Sequence, residues 1–371
     1  MDPLTHSLTG VAMARGGLAR HTPLAMTTLV LAANLPDIDG VSYFISSDLA
    51  LSFRRGWTHG WPAMLVLPAL LTLLIVGFDR AWRRRRNPQA PPVRWRGVLL
   101  LAYLGTWTHP ALDWLNTYGI RLLMPFDGTW FYGDTLFIID PWLWLILGGA
   151  AFLTGSSTRR QLVAWGVLGV STSAILLSGA QDQPLAWLLW FGALAVLVAL
   201  RSTGRHAQTQ ATRLRLGQAA LIAGACYIAV LHVSTVQARQ QIVRELPEHG
   251  IVAEDVMAGP LPLRPLVHAV VIAGEERIHF GSFDWFRQPR LTLDEATQPR
   301  LVENEITRAA FSAPCLQGMV NWVRYPWVEI EQIDDGSYAV HLLDARYTQH
   351  RTAGFGGGSV ELRGDLTPIC E

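Results

Sequence analysis

The sequence predicts a polytopic α-helical membrane domain followed by a small α+β extracytoplasmic domain. Three observations carry that prediction: an apolar composition, a lopsided distribution of charge, and a series of long apolar runs separated by arginine-rich loops. Half of the 371 residues are hydrophobic and 16% are charged, with a mean hydropathy of +0.24; soluble proteins average about 25% charged residues. Residues 1–235 hold 18 Arg and 10 Asp, whereas residues 236–371 hold 12 Arg and 19 acidic residues. Every Glu lies at or beyond Glu245, and Lys is absent. The net charge of +1 therefore averages a basic, apolar part (1–235) and an acidic, more polar part (236–371). A single soluble domain, a disordered chain and a nucleic-acid binder with a broad basic face are all disfavoured by this pattern.

The elements follow in order. A hydrocarbon core of about 30 Å needs about 20 helical residues. Residues 22–36, 61–78, 97–115, 141–156, 161–178, 185–200 and 216–234 supply apolar runs near that length, and 4–18 supplies a shorter one. Seven or eight spanning elements are expected. Trp57, Trp61, Tyr103, Trp107, Trp114, Trp142 and Trp144 cluster at their ends, as aromatics do at a membrane–water interface. The loop 79–96 carries Arg80, Arg83, Arg84, Arg85, Arg86, Arg94 and Arg96, which marks it as cytoplasmic. Counting outward places Arg15, Arg20, Arg159, Arg160, Arg201, Arg205, Arg213 and Arg215 on the same side. Residues 37–60, 116–140 and the chain after about 235 then fall outside. The expected location is the bacterial inner membrane, multi-pass, with the C-terminal domain extracytoplasmic. The amino-terminal residues lack a basic n-region, so no cleaved signal peptide is expected.

Within the tail, Val267–Ala273 and Arg277–Phe283 alternate around Gly274-Glu275-Glu276, a hairpin pattern. Residues 299–313 have helical character up to Pro314. Trp327–Ile333 and Tyr338–Leu343 flank Asp334-Asp335-Gly336, a second hairpin. Gly354-Phe355-Gly356-Gly357-Gly358 lacks the strand-before and helix-after context of a phosphate loop and is expected as a turn. Cys226 lies in an apolar run; Cys315 and Cys370 offer one disulfide if the tail is extracytoplasmic. His249, His268, His279, His341 and His350 show no ligand spacing.

The informative residues are polar ones lodged in or beside the apolar runs: Thr5-His6; Asp37 and Asp39; Arg54, Arg55 and His59; His109 and Asp113; then Asn116, Tyr118 and Gly119, with Asp134 and Asp140 beyond. Ionisable groups in a span cost roughly 2.5–3.5 kcal/mol each on insertion scales, so they pair or mark a site. His109 and Asp113 are four apart, hence on one helix face, with Pro110 between them as a source of a kink. His109 lies thirteen residues from Arg96, about 19 Å along a helix, which puts it toward the outer side with Asp37, Asp39, His59 and Asp113. A lone His or Asp at such a place is an ordinary interfacial or capping residue; the convergence of three His and three Asp on one side is not. Imidazole and carboxylate together are ligands for Zn²⁺, Mn²⁺ or Fe²⁺. The expected metal ligands are His6, Asp37, Asp39, His59, His109 and Asp113.

At these clusters the sequence resembles the YdjM-like family of bacterial inner-membrane metal-dependent hydrolases. The matching pieces are Thr5-His6, Leu35-Pro36-Asp37-Ile38-Asp39, Arg54-Arg55-Gly56-Trp57-Thr58-His59, and His109 with Asp113 followed by Tyr118-Gly119. The family usually reads His-Arg where this chain has Arg54-Arg55, which removes one further ligand. The resemblance implies a divalent metal, most simply zinc, and a hydrolytic reaction class without a substrate. With the site at headgroup depth, the expected function is hydrolysis of a lipid or lipid-linked phosphoester at the outer face. Asp37 or Asp39 serves as proton acceptor, and Arg55 or Arg54 as anion anchor. Membrane lipids are the expected partners, and nucleic acid is not. The competing expectation is a non-enzymatic membrane protein with a structural metal and a partner-binding outer domain.

Overall fold

The computed structural model describes the chain apart from residues 180–182, 205–208, 334–335, 350–354 and 371. Arg205, the turn residues Asp334 and Asp335, His350 and Gly354 lie outside the described residues. Helix α1 (Pro3–Arg15) is capped by Asp2, whose carboxylate accepts from the Thr5 N–H at 3.0 Å and from the Trp144 indole at 3.1 Å. Helix α2 spans Ala25–Asn34, shorter than the apolar run 22–36 suggests. The cause is Pro36, which has no N–H to continue the ladder. The Leu35 N–H bonds to the Ala32 carbonyl instead, and the chain tightens into a 3₁₀ segment, Leu35–Phe44. Ten residues is long for 3₁₀ geometry, which rarely runs past three or four.

Helices α3 (Ser47–Phe53) and α4 (Trp61–Phe78) follow; a π turn (Asp79–Arg83) and the short α5 (Arg84–Arg86) extend α4. Then come α6 (Trp95–Trp114), α7 (Pro141–Gly155), α8 (Arg159–Gly179), α9 (Pro184–Ser202) and α10 (Gln210–Glu245). Among the described residues, four helical stretches are long and apolar enough to cross a membrane, against the seven or eight spanning elements expected: Trp61–Arg86, Arg159–Ser178, Pro184–Ser202 and Gln210–His249. Helix α7 is apolar but has 15 residues, and α6, with 20, carries Thr106, Thr108, His109 and Asp113 along its length.

Small residues let α1, α2 and α6 approach closely, as in membrane bundles generally. A Cβ added at Gly105 would stand 2.7 Å from the Ala32 Cβ and 3.0 Å from the Leu29 carbonyl oxygen. Gly10 meets that same carbonyl from α1. Helix α10 packs on α1 and α7, then continues unbroken into the tail, where Ala238, Ile242 and Leu246 enter the core beneath Val256, Val270 and Phe283. Residue 235 therefore falls within a single helix shared by both parts.

The tail is built from two four-stranded antiparallel sheets. The first is the meander β1 (Ala253–Leu261), β2 (Arg264–Gly274), β3 (Arg277–Asp284) and β4 (Leu291–Pro299). The second is β5 (Pro326–Gln332), β6 (Tyr338–Asp344), β7 (Gly357–Leu362) and β8 (Pro368–Ile369). Both expected hairpins are present, with Val271 opposite Phe280 and Ile330 opposite Val340. The helix expected over 299–313 is shorter. Residues through Pro299 pair as β4, and α11 (Glu305–Ser312) begins only where Asn304 and Thr307 form a reciprocal cap. Gly357 and Gly358, expected in a turn, open β7 because the pairing with Leu342 and Leu343 extends to them. Helix α12 (Gln317–Trp322) covers the second sheet, and a disulfide joins Cys315 to Cys370.

Candidate metal centre

Asp37, His59, His109 and Asp113 each offer one ligand atom, all within 4.8 Å of one another. They reach this point from three elements: the 3₁₀ segment, the turn before α4, and α6. The close approach of α2 and α6 at Gly105 puts the end of α2 beside His109. The Ala33 carbonyl is one of the last four of α2, which lack intrahelical partners. It accepts a hydrogen bond from His109 Nδ1 at 2.7 Å. A carbonyl only accepts, so Nδ1 carries a proton, and Nε2 is the nitrogen that points into the cluster.

His59 is fixed the same way. The Thr58 hydroxyl donates to Asp39 Oδ2 at 3.0 Å, leaving only its lone pairs for His59 Nδ1, also at 3.0 Å. Asp39 Oδ2 itself is 3.3 Å from that nitrogen. Nδ1 therefore donates, and Nε2 is the nitrogen that faces the cluster. The two Nε2 atoms stand 3.0 Å apart, and Asp113 Oδ2 lies 3.4 Å from one and 3.5 Å from the other. Asp37 Oδ1 is 3.7 Å from His109 Nε2. Asp113 Oδ2 accepts no well-aligned hydrogen bond. Two imidazole nitrogens and two carboxylates converge in a buried space, with Arg55 and the Met1 amine beside Asp113 and Arg54 beside Asp37 balancing the carboxylate charge. The donor set of two nitrogens and two oxygens fits a divalent ion.

The remaining expected residues take distinct places. Asp39 lies behind His59 and outside the four-residue group. Burial opposes its ionisation, but the bond to His59, the Arg54 charge and the Arg55 N–H outweigh it and hold its carboxyl below the usual range. A carboxylate on the far nitrogen of a ligating His is a common orienting arrangement. His6 stacks on His109 with ring centroids 3.8 Å apart, and its Nε2 is 3.3 Å from Asp113 Oδ1. Its Nδ1 is buried without a hydrogen-bond partner. The α-amine of Met1 also ion-pairs with Asp113.

Arg55 is buried and turned inward. Its Nε lies 2.9 Å from Asp113 Oδ2, and its Nη1 donates to Asn116 Oδ1 at 2.8 Å and to the Gly119 carbonyl at 3.2 Å. The guanidinium sits 4.5 Å from the Tyr118 ring centroid. Its backbone is in the left-handed region (φ 53°), a conformation that costs about 1–3 kcal/mol for a non-glycine residue. The Asp39 carboxylate accepts its N–H at 2.8 Å, and its carbonyl accepts from the Arg121 N–H at 2.8 Å. Arg54 is more open: its side chain is 18% exposed and donates to Asp37 Oδ1 at 3.1 Å. Asp134 is taken by Arg324 at 2.9 Å, and Asp140 caps α7 and accepts from Tyr227, so neither joins the cluster. His232 bonds to Thr135 at 3.0 Å.

The tail reaches this site. Arg346, paired with Asp344 at 2.6 Å, donates to the Thr117 carbonyl at 2.7 Å. Trp322 packs on Tyr118 with centroids 4.9 Å apart, and Asp48 of α3 accepts from the Gly318 N–H at 2.7 Å. The Ala33 carbonyl and the grip of Arg346 had no signal in the sequence: one is a backbone atom, and the other is distant along the chain.

The sequence profile of the YdjM inner membrane proteins matches residues 1–235, a stretch that contains every residue of the cluster. The chain belongs to the YdjM family of inner membrane proteins. Among curated proteins, uncharacterized protein YfhP of Bacillus subtilis (strain 168) is 30% identical to this YdjM-family chain over 160 residues. That match covers 39% of this chain and 43% of YfhP, so the chain spans less than half the length of that relative. No solved structure matches the chain.

Proposed function

We propose that the protein is a membrane-embedded metal-dependent hydrolase at the outer face of the inner membrane, acting on a lipid or lipid-linked ester or phosphoester. The supporting observation is the pair of Nε2 atoms 3.0 Å apart, their Nδ1 atoms engaged elsewhere, facing two carboxylates. Asp37, His59, His109 and Asp113 would hold the ion, zinc by donor type, with manganese or iron also compatible. A divalent ion so held supplies Lewis acidity and a more acidic water. Asp37 is the half-open member, 14% exposed, and is the carboxylate within reach of an entering water's proton. Arg54, beside it, orients an anionic group on the substrate. Arg55 holds Asp113 in place rather than meeting substrate. The arginine loops, above all residues 79–96, support the outward orientation.

One observation favours a second reading. His59, His109 and Asp113 are wholly buried, and closed four-ligand sites are commonly structural. The two readings part experimentally. Protein purified in detergent is expected to carry stoichiometric metal by elemental mass spectrometry, and His59→Ala and His109→Ala are expected to lose it, together with hydrolysis of phospholipid and short-chain ester substrates. Full occupancy in both variants would refute the ligand assignment. Metal without turnover, lost with the fold in both variants, would support the structural role.

A further inference from the structure

The segment between α2 and α4 carries an outward apolar face that its fold does not cover. Phe44 is 91% exposed and Ile45 74%, and Ile38, Val41 and Tyr43 are exposed beside them. Soluble surfaces seldom leave such a contiguous patch bare. The charges between Ile38 and Phe53 are turned away from it: Asp39 is buried under His59, and Asp48 accepts from the Gly318 and Met319 N–H groups of the tail. One side of the segment is thus pinned to the tail while the other faces outward. Beyond the segment, Trp57, which stacks on Phe53 at 6.4 Å, and Trp61 and Leu65 of the spanning helix α4 are exposed as well. The segment lies where the helices end and the tail begins, which is the level of the lipid headgroups.

From this arrangement we infer that Leu35–Phe53 lies in the plane of the bilayer interface with Phe44 and Ile45 inserted, and that the site draws its substrate sideways from the membrane. The inference rests on the hydrolase reading only for what happens to that substrate. A continuous path links tip and site. Phe44 adjoins Tyr43, the Arg54 guanidinium stands 5.6 Å from the Tyr43 ring centroid, and Arg54 bonds to Asp37. Asp37 and Arg54, at 14% and 18%, are the parts of the cluster open to an incoming group. The ligand class is therefore a membrane-resident anionic amphiphile, its phosphate on Arg54 and its chain along Phe44 and Ile45. In-plane apolar elements of this kind bury about 5–10 Å into the headgroup–acyl boundary.

The test places an environment-sensitive nitrobenzoxadiazole probe at Phe44→Cys, and separately at Ile45→Cys, in a Cys226→Ser background of the full chain. Each is reconstituted in phosphatidylcholine–phosphatidylglycerol vesicles, with Val302→Cys in the tail as an aqueous reference. The expected result is strong quenching of both tip probes by spin-labelled lipids and at least fivefold weaker quenching by iodide than at position 302. Iodide quenching equal to that at 302 would overturn the inference. So would shielding from both quenchers, which would mean that a protein surface covers the tip. A benzophenone amino acid at Tyr43 is expected to crosslink phosphatidylglycerol, with yield falling severalfold in Arg54→Gln; an unchanged yield would remove the anchoring role of Arg54. Neither readout needs metal or turnover, so each fails independently of the hydrolase reading.

Discussion

Replacing Asp39 by Asn separates a carboxylate that orients a ligand from one that is itself a ligand. Asn keeps the size of the side chain, and its amide oxygen still accepts from the Arg55 N–H and the Thr58 hydroxyl, now 2.8 Å and 3.0 Å from Asp39 Oδ2. The strained Arg55 backbone therefore stays anchored. What is lost is the negative charge behind His59 Nδ1, 3.3 Å away, which raises the basicity of Nε2. Outer carboxylates of this type are worth about 10–100-fold in metal affinity, or roughly 1.4–2.7 kcal/mol. Competition against a chelator of known affinity, with metal counted by elemental mass spectrometry, measures the change directly. An unaltered affinity would refute the orienting role, and loss of all metal, as in His59→Ala, would mean that Asp39 binds the ion itself.

Three further outcomes are expected. Arg346→Ala leaves Asp344 buried without its partner, a change that costs about 3–5 kcal/mol; thermal unfolding followed by tryptophan fluorescence should show the loss, and metal affinity should fall with it. Gly105→Val forces a side chain against Ala32 and the Leu29 carbonyl, so about 1–3 kcal/mol of overpacking strain should separate α6 from α2 and reduce metal retention on a desalting column. His268 in β2 is pushed down to about 4 by burial. The unfolded chain protonates it near pH 6.5 while the folded tail does not, so stability is full above that pH and is lost as pH falls from about 6.5 to 4. The loss is on the order of 2–3 kcal/mol, and His268→Gln should flatten that part of the unfolding profile.

Much of this molecule was legible because its signals are local. The apolar runs 61–78 and 141–156 set α4 and α7 almost to the residue, and the two hairpins announced themselves by alternation. His59, His109, Asp113 and Asp37 stood out because charge in an apolar neighbourhood is costly. The division of labour among the six expected ligands was not legible. Whether Asp37 or Asp39 faces the two histidines depends on the tight 3₁₀ geometry that Pro36 initiates. Arg54 and Arg55 read alike as neighbours, yet a left-handed backbone at Arg55 sends one guanidinium inward to Asp113 and leaves the other at the edge. Strands β1, β4, β7 and β8 carry Pro, Gly or acidic residues that blur alternation, and pairing with neighbours decides them.

The contact of Arg346 with the Thr117 carbonyl also sets an order in time. The four ligands lie within residues 37–113, but the side chain that props the loop behind Arg55 emerges from the ribosome more than 230 residues later. At about 5–20 residues per second, the cluster waits roughly 12–47 seconds for its last support. The candidate site is thus among the first parts of the chain to be made and the last to be fully braced.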